Sequence, residues 1–364
     1  MAGITIHDVA KEARVSIATV SYVLNNSRRV GDETRTRVLQ AITLLGYRPN
    51  ITARNLQASK TRLLGYSWRP VPPSQFTPVL DQFWQSMAQA AAHHDYRILA
   101  FPTATPQEEL AVYEEMMLSG QVDGFVLSNT NLEDPRVRAL LGAGFPFVAF
   151  GRSNPEWDFP WVDVDGYAGI RMAMEHLIAG GHQRIACLAW PAPSLTGRYR
   201  LDGYYEAMAA ANLPVSPAWV ARIENTYDDA YPSTQHLLAL SPAQRPSAIV
   251  AFTDLMAMGA INAATDAGMT VGRELAVVGF DDAPVARFLR PPLTSLRQPV
   301  AEVGERLVTM LIDLVNGRSV AEPHVLLQPE LIVRASSVPS SAAMTSLNRT
   351  QWSAPMGVDG RSCN

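Results

Sequence analysis

Two cysteines in 364 residues, Cys187 and Cys363, exclude a disulfide framework and any site built from several thiolates. No apolar run approaches the roughly 18 residues that a membrane helix needs. The N-terminal stretch carries Asp8 and Glu12 inside its first helical pattern and lacks the apolar core of a secretory leader, so a cytoplasmic location is expected. No nucleophile–base signature, phosphate-cradling loop or dinucleotide fingerprint is found, which leaves no argument for an enzyme and no expected cofactor or metal. His93 and His94 resemble a metal pair, but neighbours on a helix point about 100° apart. Asp228 and Asp229 open a helical pattern, where acids complement the helix dipole instead of forming a catalytic pair.

What is present describes a soluble globular chain, with 47% hydrophobic residues, 18% charged residues and a mean hydropathy of −0.01. Its length calls for two or three domains. The net charge of −4 hides an asymmetry: residues 1–60 hold nine Lys/Arg against four acids, so a head of net +5 precedes a body of net −9. A basic head on an acidic body suits a nucleic-acid reader joined to a soluble sensor.

Within the head, Thr5 followed by Asp8 reads as a capping-box variant, and Ile6, Val9, Ala10 and Ala13 give a short amphipathic helix. Ser16 caps a second helix with Val20, Val23 and Leu24 on one face, ended by Asn25 and Asn26. A third runs from Asp32 through Val38, Leu39, Ile42 and Leu45 to a Gly46 stop. Two short helices separated by Arg14–Val15 make a helix-turn-helix, which the third closes; a generic three-helix bundle is the alternative on pattern alone. The strings "TIHDVAKEARVSIATVSYVLNNSRRV" and "TRTRVLQAITLLGYRPNITARNL" decide between them. Across residues 4–60, without a gap, the chain resembles the N-terminal module of the lactose-repressor family of bacterial transcription regulators.

The resemblance implies that the helix after Ser16 enters the DNA major groove. Ile17, Ala18 and Tyr22 would then face base edges, with Thr5, Ser16, Thr19, Ser21 and Asn25 placed for phosphates or flanking bases. Ile17 and Ala18 offer only apolar contact, as with thymine methyls. Tyr22 stands where family members commonly carry Arg, so a different half-site is expected there. Arg14 replaces the usual turn Gly, at a cost of about 1 kcal/mol in a left-handed conformation unless the turn relaxes. The segment "PNITARNLQA" resembles the family's hinge, which folds on DNA as a pair from two subunits. Asn50 and Ala53 are then DNA contacts, and Leu56 wedges into the minor groove and kinks the duplex; packing of Leu56 on the head is the alternative.

From Leu63 the pattern changes to apolar runs alternating with helical stretches. "LLGYSW", "YRILAF", "VDGFVLS" and "FPFVAF" are separated by helices at 77–94, 106–119 and 133–143. A second cycle, "WVDVD", "RIACLAW", "VARIEN", "SAIVAF" and "ELAVVGF", is separated by helices at 166–180, 198–211, 229–240 and 254–267. Gly120, Gly180 and Gly268 fall where helices should stop. Such alternation means parallel sheets covered on both faces, and two cycles mean two doubly wound lobes. Ligands in these sheets sit beyond the carboxyl ends of the strands, hence in the cleft between lobes.

The strings "GRYRLDGYYEAM", "AIVAFTDLMAMGAINAATDAGM" and "AVVGFDDAPVARFLRPPLTSLRQP" resemble the sensor domain of the same family, which shares its fold with periplasmic sugar-binding proteins. The expected architecture is an all-α helix-turn-helix head plus an α/β body of two parallel-sheet lobes of periplasmic-binding-protein type. The head spans 1–48, hinge and linker 49–60, and the effector-binding and dimerisation body 61–338. The first lobe takes 61–161 and 293–322, the second 162–292 and 323–338. Residues 339–364, Ser-rich and without apolar periodicity, read as a disordered tail.

The resemblance further implies effector contacts at Arg200, Asp281, Gln298 and the pair Thr253–Asp254, where Thr253 departs from a frequent Asn. Trp68, Arg69, Phe76, Arg152 and Tyr227 fall on loops that should open into the cleft. Arginine and carboxylate partners for hydroxyl pairs, with an aromatic face for a ring, suit a sugar; three arginines extend the range to an acidic sugar. Alternatively Arg200 and Asp281 form a structural ion pair, and Trp68 and Phe76 belong to the core or a dimer interface.

The expected function is a homodimeric, ligand-switched transcription regulator, a repressor of sugar-utilisation genes that binds pseudo-palindromic double-stranded operator DNA. The alternative is a solute-binding protein of the periplasmic sugar-binding type. A head of net +5 docking on phosphates releases counterions, so the logarithm of operator affinity should fall steeply and linearly with log salt in filter-binding titrations. A flat dependence would exclude phosphate-dominated docking.

Overall fold

The structure is a computed structural model that describes residues 4–24, 29–47, 60–71, 78–192 and 194–338. Residues 1–62 and 63–364 form two compact units. Asn25, Phe76, the hinge contacts Asn50, Ala53 and Leu56, and the tail 339–364 lie outside the described residues.

The first unit holds α1 (Ile6–Ala13), α2 (Ile17–Leu24) and α3 (Asp32–Leu45). The Asp8 carboxylate accepts both the Thr5 backbone N–H and the Thr5 hydroxyl at 2.8 Å, closing the first turn of α1. Val9, Ala13, Val20, Val23, Val38 and Ala41 form the small core. Leu39, expected on the apolar face of α3, is 50% exposed instead, because Ala41 and Val38 already fill the space facing α1 and α2. Arg14 keeps the left-handed turn at φ 54° and ψ 48° without a glycine. Backbone bonds from Arg14 N to Lys11 O and Val15 N to Ala10 O hold that turn, and Arg37 Nε donates to Ala13 O across it.

The second unit contains two six-stranded sheets. The first has the order β11-β5-β4-β3-β1-β2, where β1 is Leu63–Trp68, β2 Arg97–Pro102, β3 Gly124–Leu127, β4 Phe147–Phe150, β5 Trp161–Val164 and β11 His324–Leu327. All its pairings are parallel. Helices α4 (Pro78–His93), α5 (Pro106–Ser119) and α6 (Pro135–Ala143) cover it, joined by α11 (Val300–Val315). Val303, Leu307 and Leu311 of α11 pack in the same core as Leu64, Phe83 and Val148, as the chain's expected return to the first lobe requires.

The second sheet runs β12-β10-β9-β8-β6-β7, from β6 (Ile185–Ala189), β7 (Val220–Arg222), β8 (Ala248–Ala251), β9 (Ala276–Asp281), β10 (Thr294–Arg297) and β12 (Glu330–Ile332). Its helices are α7 (Gly166–Ala179), α8 (Leu195–Ala210), α9 (Tyr227–Leu238) and α10 (Asp254–Asp266). The central strands β6 and β8 are buried at every residue, as a parallel sheet covered on both faces demands. Side-chain oxygens of Asp165, Ser194, Thr226 and Thr253 accept N–H groups in the first turns of the four helices. Gly120 takes the expected left-handed stop, but after α7 the left-handed residue is Gly181 and not Gly180.

The chain crosses between lobes three times, and all three expected boundaries move. β5, assigned largely to the second lobe, pairs with β4 in the first sheet. β10, assigned to the first lobe, pairs with β9 through Thr294↔Val278 to Arg297↔Asp281 in the second. β11, assigned to the second lobe, pairs with β5 in the first. Strand membership is set by hydrogen-bond register, and the apolar runs of the two sheets are alike, so sequence pattern placed each crossing a strand too early. Among the described residues no helix is long and apolar enough to cross a membrane.

α7 and α8 meet at Gly203, where a Cβ would lie 2.5 Å from the Tyr167 carbonyl oxygen. Gly203→Ala should therefore cost about 1–3 kcal/mol by overpacking, read as a lowered midpoint in urea unfolding. An unchanged midpoint would mean the helices part freely.

Candidate functional site

A cavity of about 160 Å³ lies between the lobes at the carboxyl ends of both sheets. The first lobe contributes Ser128, Asn129 and Thr130 after β3, Phe150 and Gly151 at the end of β4, Asp163 of β5, and the start of α4. The second contributes Trp190, Thr196, Arg200, Asn225, Thr253, Asp254 and Asp281, with Gln298 at a crossing.

Arg200 projects from α8 past Gly166, where a Cβ would come within 3.0 Å of its Cγ. It is 4% exposed, its guanidinium carbon sits 3.5 Å from the Phe280 ring centroid and 4.8 Å from that of Trp190, and Nη1 donates to Phe252 O. Burial pulls its pKa down to about 10 against the opposing pull of Asp281, Asp163 and Asp254. No direct ion pair joins Arg200 to Asp281 among the described residues, so the alternative of a structural ion pair is not what these residues form. The Gln298 amide instead donates to Asp281 Oδ1 at 2.7 Å.

Asp281 and Asp282 end β9 with φ of 118° and 50°, left-handed values that cost non-glycine residues about 1–3 kcal/mol each. Asp254 secures this turn: its oxygens accept from Ser295 Oγ at 2.5 Å and from Ala283 N at 2.7 Å. Arg297 and Arg334 pair with Asp282 at 2.8 and 2.6 Å from behind. Asp254 touches the cavity, yet both its oxygens serve the turn, which makes it a positioning residue. Burial, and then the charge of Asp281, hold its carboxyl well above the usual range. Burial likewise pushes Asp281 upward, opposed by Arg200 and Gln298.

On the first lobe, Arg136 pins the wall. Its Nη2 donates to Ser128 O at 3.0 Å and Asn129 O at 3.3 Å, fixing Asn129 at φ 53°, while Asp134 and Glu109 neutralise it at 2.8 and 3.1 Å. Asp163 accepts from Arg152 Nε at 2.7 Å, and Arg152 stacks over Tyr199 of α8 at 4.0 Å. Thr253 caps α10 and donates to Asn225 Oδ1 at 2.6 Å.

Of the expected cleft residues, Arg200, Thr253, Asp254, Asp281 and Gln298 line the cavity. Arg152 stands one residue out, behind Asp163. Trp68, 44% exposed, and Arg69, 3.7 Å from Glu109, do not line it. Nor does Tyr227, which begins α9, stacks on Tyr231 and accepts from Asn262 at 2.9 Å; Asn225 reaches the cavity instead. Sequence reasoning missed Asp163, Asn225, Trp190 and Thr196. An acid inside the apolar run "WVDVD" was the available signal for Asp163.

In the head, Ser16, Ile17, Ala18 and Tyr22 are exposed, and Thr19 and Ser21 half-buried, along the start and outer face of α2. Ser16 Oγ accepts Thr19 N at 3.1 Å and shares a hydrogen bond with Thr19 Oγ1 at 2.9 Å. Thr5 is exposed at the start of α1, and the Arg29 guanidinium lies 5.8 Å from the Tyr22 ring.

A helix-turn-helix head and a two-lobed body with an interlobe cavity define a DNA-binding regulator with a periplasmic-binding-protein-like sensor. Known proteins agree. The pattern of "Bacterial regulatory proteins, lacI family" matches residues 5–50, and that of "Periplasmic binding protein-like domain" matches 174–337. The HTH-type transcriptional repressor CytR of Escherichia coli K12 is 31% identical over 92% of this chain and 96% of its own length. A LacI-family regulatory protein from Chloroflexus aggregans is 49% identical over 76% of this chain and 99% of that one, with a TM-score of 0.72. The transcriptional regulator CelR in complex with cellobiose is 32% identical over 92% and 100%, TM-score 0.70. The lac repressor dimer bound to operator and the anti-inducer ONPF is 25% identical over 93% and 100%, TM-score 0.79. The chain belongs to the lacI family of bacterial regulatory proteins.

The raised Asp281 carboxyl has a consequence for stability. The native state keeps a proton that the unfolded chain, titrating near pH 4, has released, so this contribution is lost as pH rises from about 4 to about 7. Asp281→Asn should flatten that part of the pH profile of thermal unfolding; an unaltered profile would place the titration elsewhere.

Proposed function

We propose that the protein is a cytoplasmic, homodimeric repressor whose operator affinity is switched by a small ligand, a sugar, in the interlobe cavity. The observation that carries this reading is one chain holding both an exposed α2 face and a polar cavity walled by two lobes. Each head reads a half-site through Ile17, Ala18 and Tyr22, with Thr5, Ser16, Thr19, Ser21 and Asn25 on phosphates or flanking bases. Hinges carrying Asn50, Ala53 and Leu56 meet at the operator centre, and the bound protein resides on the nucleoid. Arg200, Asp281, Thr253 and Gln298 contact the effector, while Asp254 and Arg152 position the residues that do. The cavity binds and does not catalyse, so the protein is not an enzyme.

Ligand in the cavity draws together lobes joined by three crossings, and any change in their angle reaches the hinges. Coupling is reciprocal: whatever factor the ligand imposes on operator affinity, the operator imposes on the ligand's. CytR is named a repressor, CelR is seen with cellobiose and the lac repressor with operator as a dimer, which supports repressor, sugar and dimer in turn.

Selection of operator from random DNA with the full chain, repeated across a panel of sugars and nucleobases, tests the reading. A palindrome with half-sites about one helical turn apart, gained or lost with one compound, is expected. Arg200→Ala should abolish that response while leaving ligand-free operator affinity intact. Enrichment of no site would sink the regulator reading.

A further inference from the structure

The turn between α1 and α2 is built on a residue that its backbone disfavours. Arg14 caps α1 at φ 54° and ψ 48°, the left-handed region where a Cβ crowds the neighbouring carbonyl and which glycine enters freely. The turn gains nothing from this side chain. Its closing bonds are backbone ones, Arg14 N to Lys11 O and Val15 N to Ala10 O, and they would form equally with glycine. The Ala13 carbonyl is satisfied by another residue, Arg37, whose Nε donates to it at 3.1 Å.

The Arg14 guanidinium does not serve the fold either. Among the described residues it makes no hydrogen bond, ion pair or ring contact, whereas Arg37 is bonded to Ala13 O and Arg29 lies over the Tyr22 ring. Position decides what such a cation can meet. Ala13 is 1% exposed and Val15 packs on the same core, so the backbone is pinned on both sides and the exposed Arg14 is directed away from that core. Two residues on, Ser16 caps α2, and Ser16, Ile17 and Ala18 form the exposed row proposed to face DNA. A helix whose first residues lie in the major groove has its entry turn at the rim of the groove, and that rim is phosphate. Arginine offers phosphate two parallel N–H donors, and its charge displaces a condensed counterion.

We propose that Arg14 is a DNA-backbone contact, gripping a phosphate at the edge of the major groove from the turn itself. The head thereby keeps a strained turn in return for affinity that does not depend on sequence. The proposal rests on the reading of α2 as the groove-entering helix.

The test compares the full chain with its Arg14→Gly, Arg14→Asn and Arg14→Lys variants. Filter binding is measured on the palindrome recovered by operator selection, from about 50 to about 200 mM salt. Glycine and asparagine suit a left-handed turn, so both neutral variants should unfold in urea at midpoints no lower than the parent's. Both should nevertheless bind the palindrome at least about tenfold more weakly, the scale of one charge-assisted hydrogen bond. Their slopes of log affinity against log salt should be shallower by about 0.9 for each head bound. Arg14→Lys should keep the parent's slope and recover part of the affinity, since it keeps the charge but not the paired donors. Selection repeated with Arg14→Gly should return the same palindrome, because a phosphate contact carries no base information. Unchanged affinity and slope in both neutral variants would overturn the proposal and leave Arg14 a solvated charge. A changed base preference overturns it by making Arg14 a reader of bases, and lowered urea midpoints in both neutral variants overturn it by making Arg14 structural. Each of these results leaves α2 in the groove; a parent chain that selects no palindrome removes that reading and the proposal together.

Discussion

A guanidinium cannot shed its charge, and the second lobe buries one at its centre. Arg200 sits between the rings of Phe280 and Trp190, and the neighbouring residues answer to it. It needs carboxylates nearby, and Asp163, Asp254 and Asp281 surround it. Each carboxylate then needs a donor of its own: Arg152 for Asp163, Ser295 and Ala283 N for Asp254, Gln298 for Asp281. That chain of obligations runs through both sheets and a crossing, so the cavity's polar groups are held before any ligand arrives. Preorganisation of this kind lets a small ligand bind without first ordering its site.

The two walls achieve rigidity differently. Arg136 grips two consecutive backbone carbonyls and holds Asn129 in a left-handed conformation, backed by Asp134 and Glu109. The opposite wall fixes Asp281 and Asp282 in left-handed backbone through Asp254. In each case strain of order 1–3 kcal/mol per residue is tolerated because buried charge over-determines the turn.

The parts legible in the sequence were those written in local pattern. The helices expected at 106–119 and 254–267 are found at Pro106–Ser119 and Asp254–Asp266, and strands such as Ile185–Ala189 are continuous apolar runs. Arg200, Asp281 and Gln298 could be placed because the strings around them resemble a known sensor. The illegible parts were relational. Which sheet receives Thr294–Arg297 depends on pairing with Val278–Asp281, and nothing in four residues announces a partner. Tyr227 lay on the expected loop but faces Asn262, because the turn of α9 that it begins directs it to α10. Asp163 hid in a strand pattern, where an acid reads as an exception until its Arg152 partner is seen.

Three crossings also mean that neither lobe is a continuous stretch of chain. The first lobe's core needs Leu307 and Leu311, and its sheet edge needs β11, some 160 residues after β5. During synthesis, then, residues 63–164 emerge as a sheet with one helical cover missing, and the second lobe is nearly whole before the first can close. Such long-range contacts make for slow folding with exposed intermediates. Helix α11 is thus the last major element of the first lobe's core to be made, and the lobe that starts first finishes near the end.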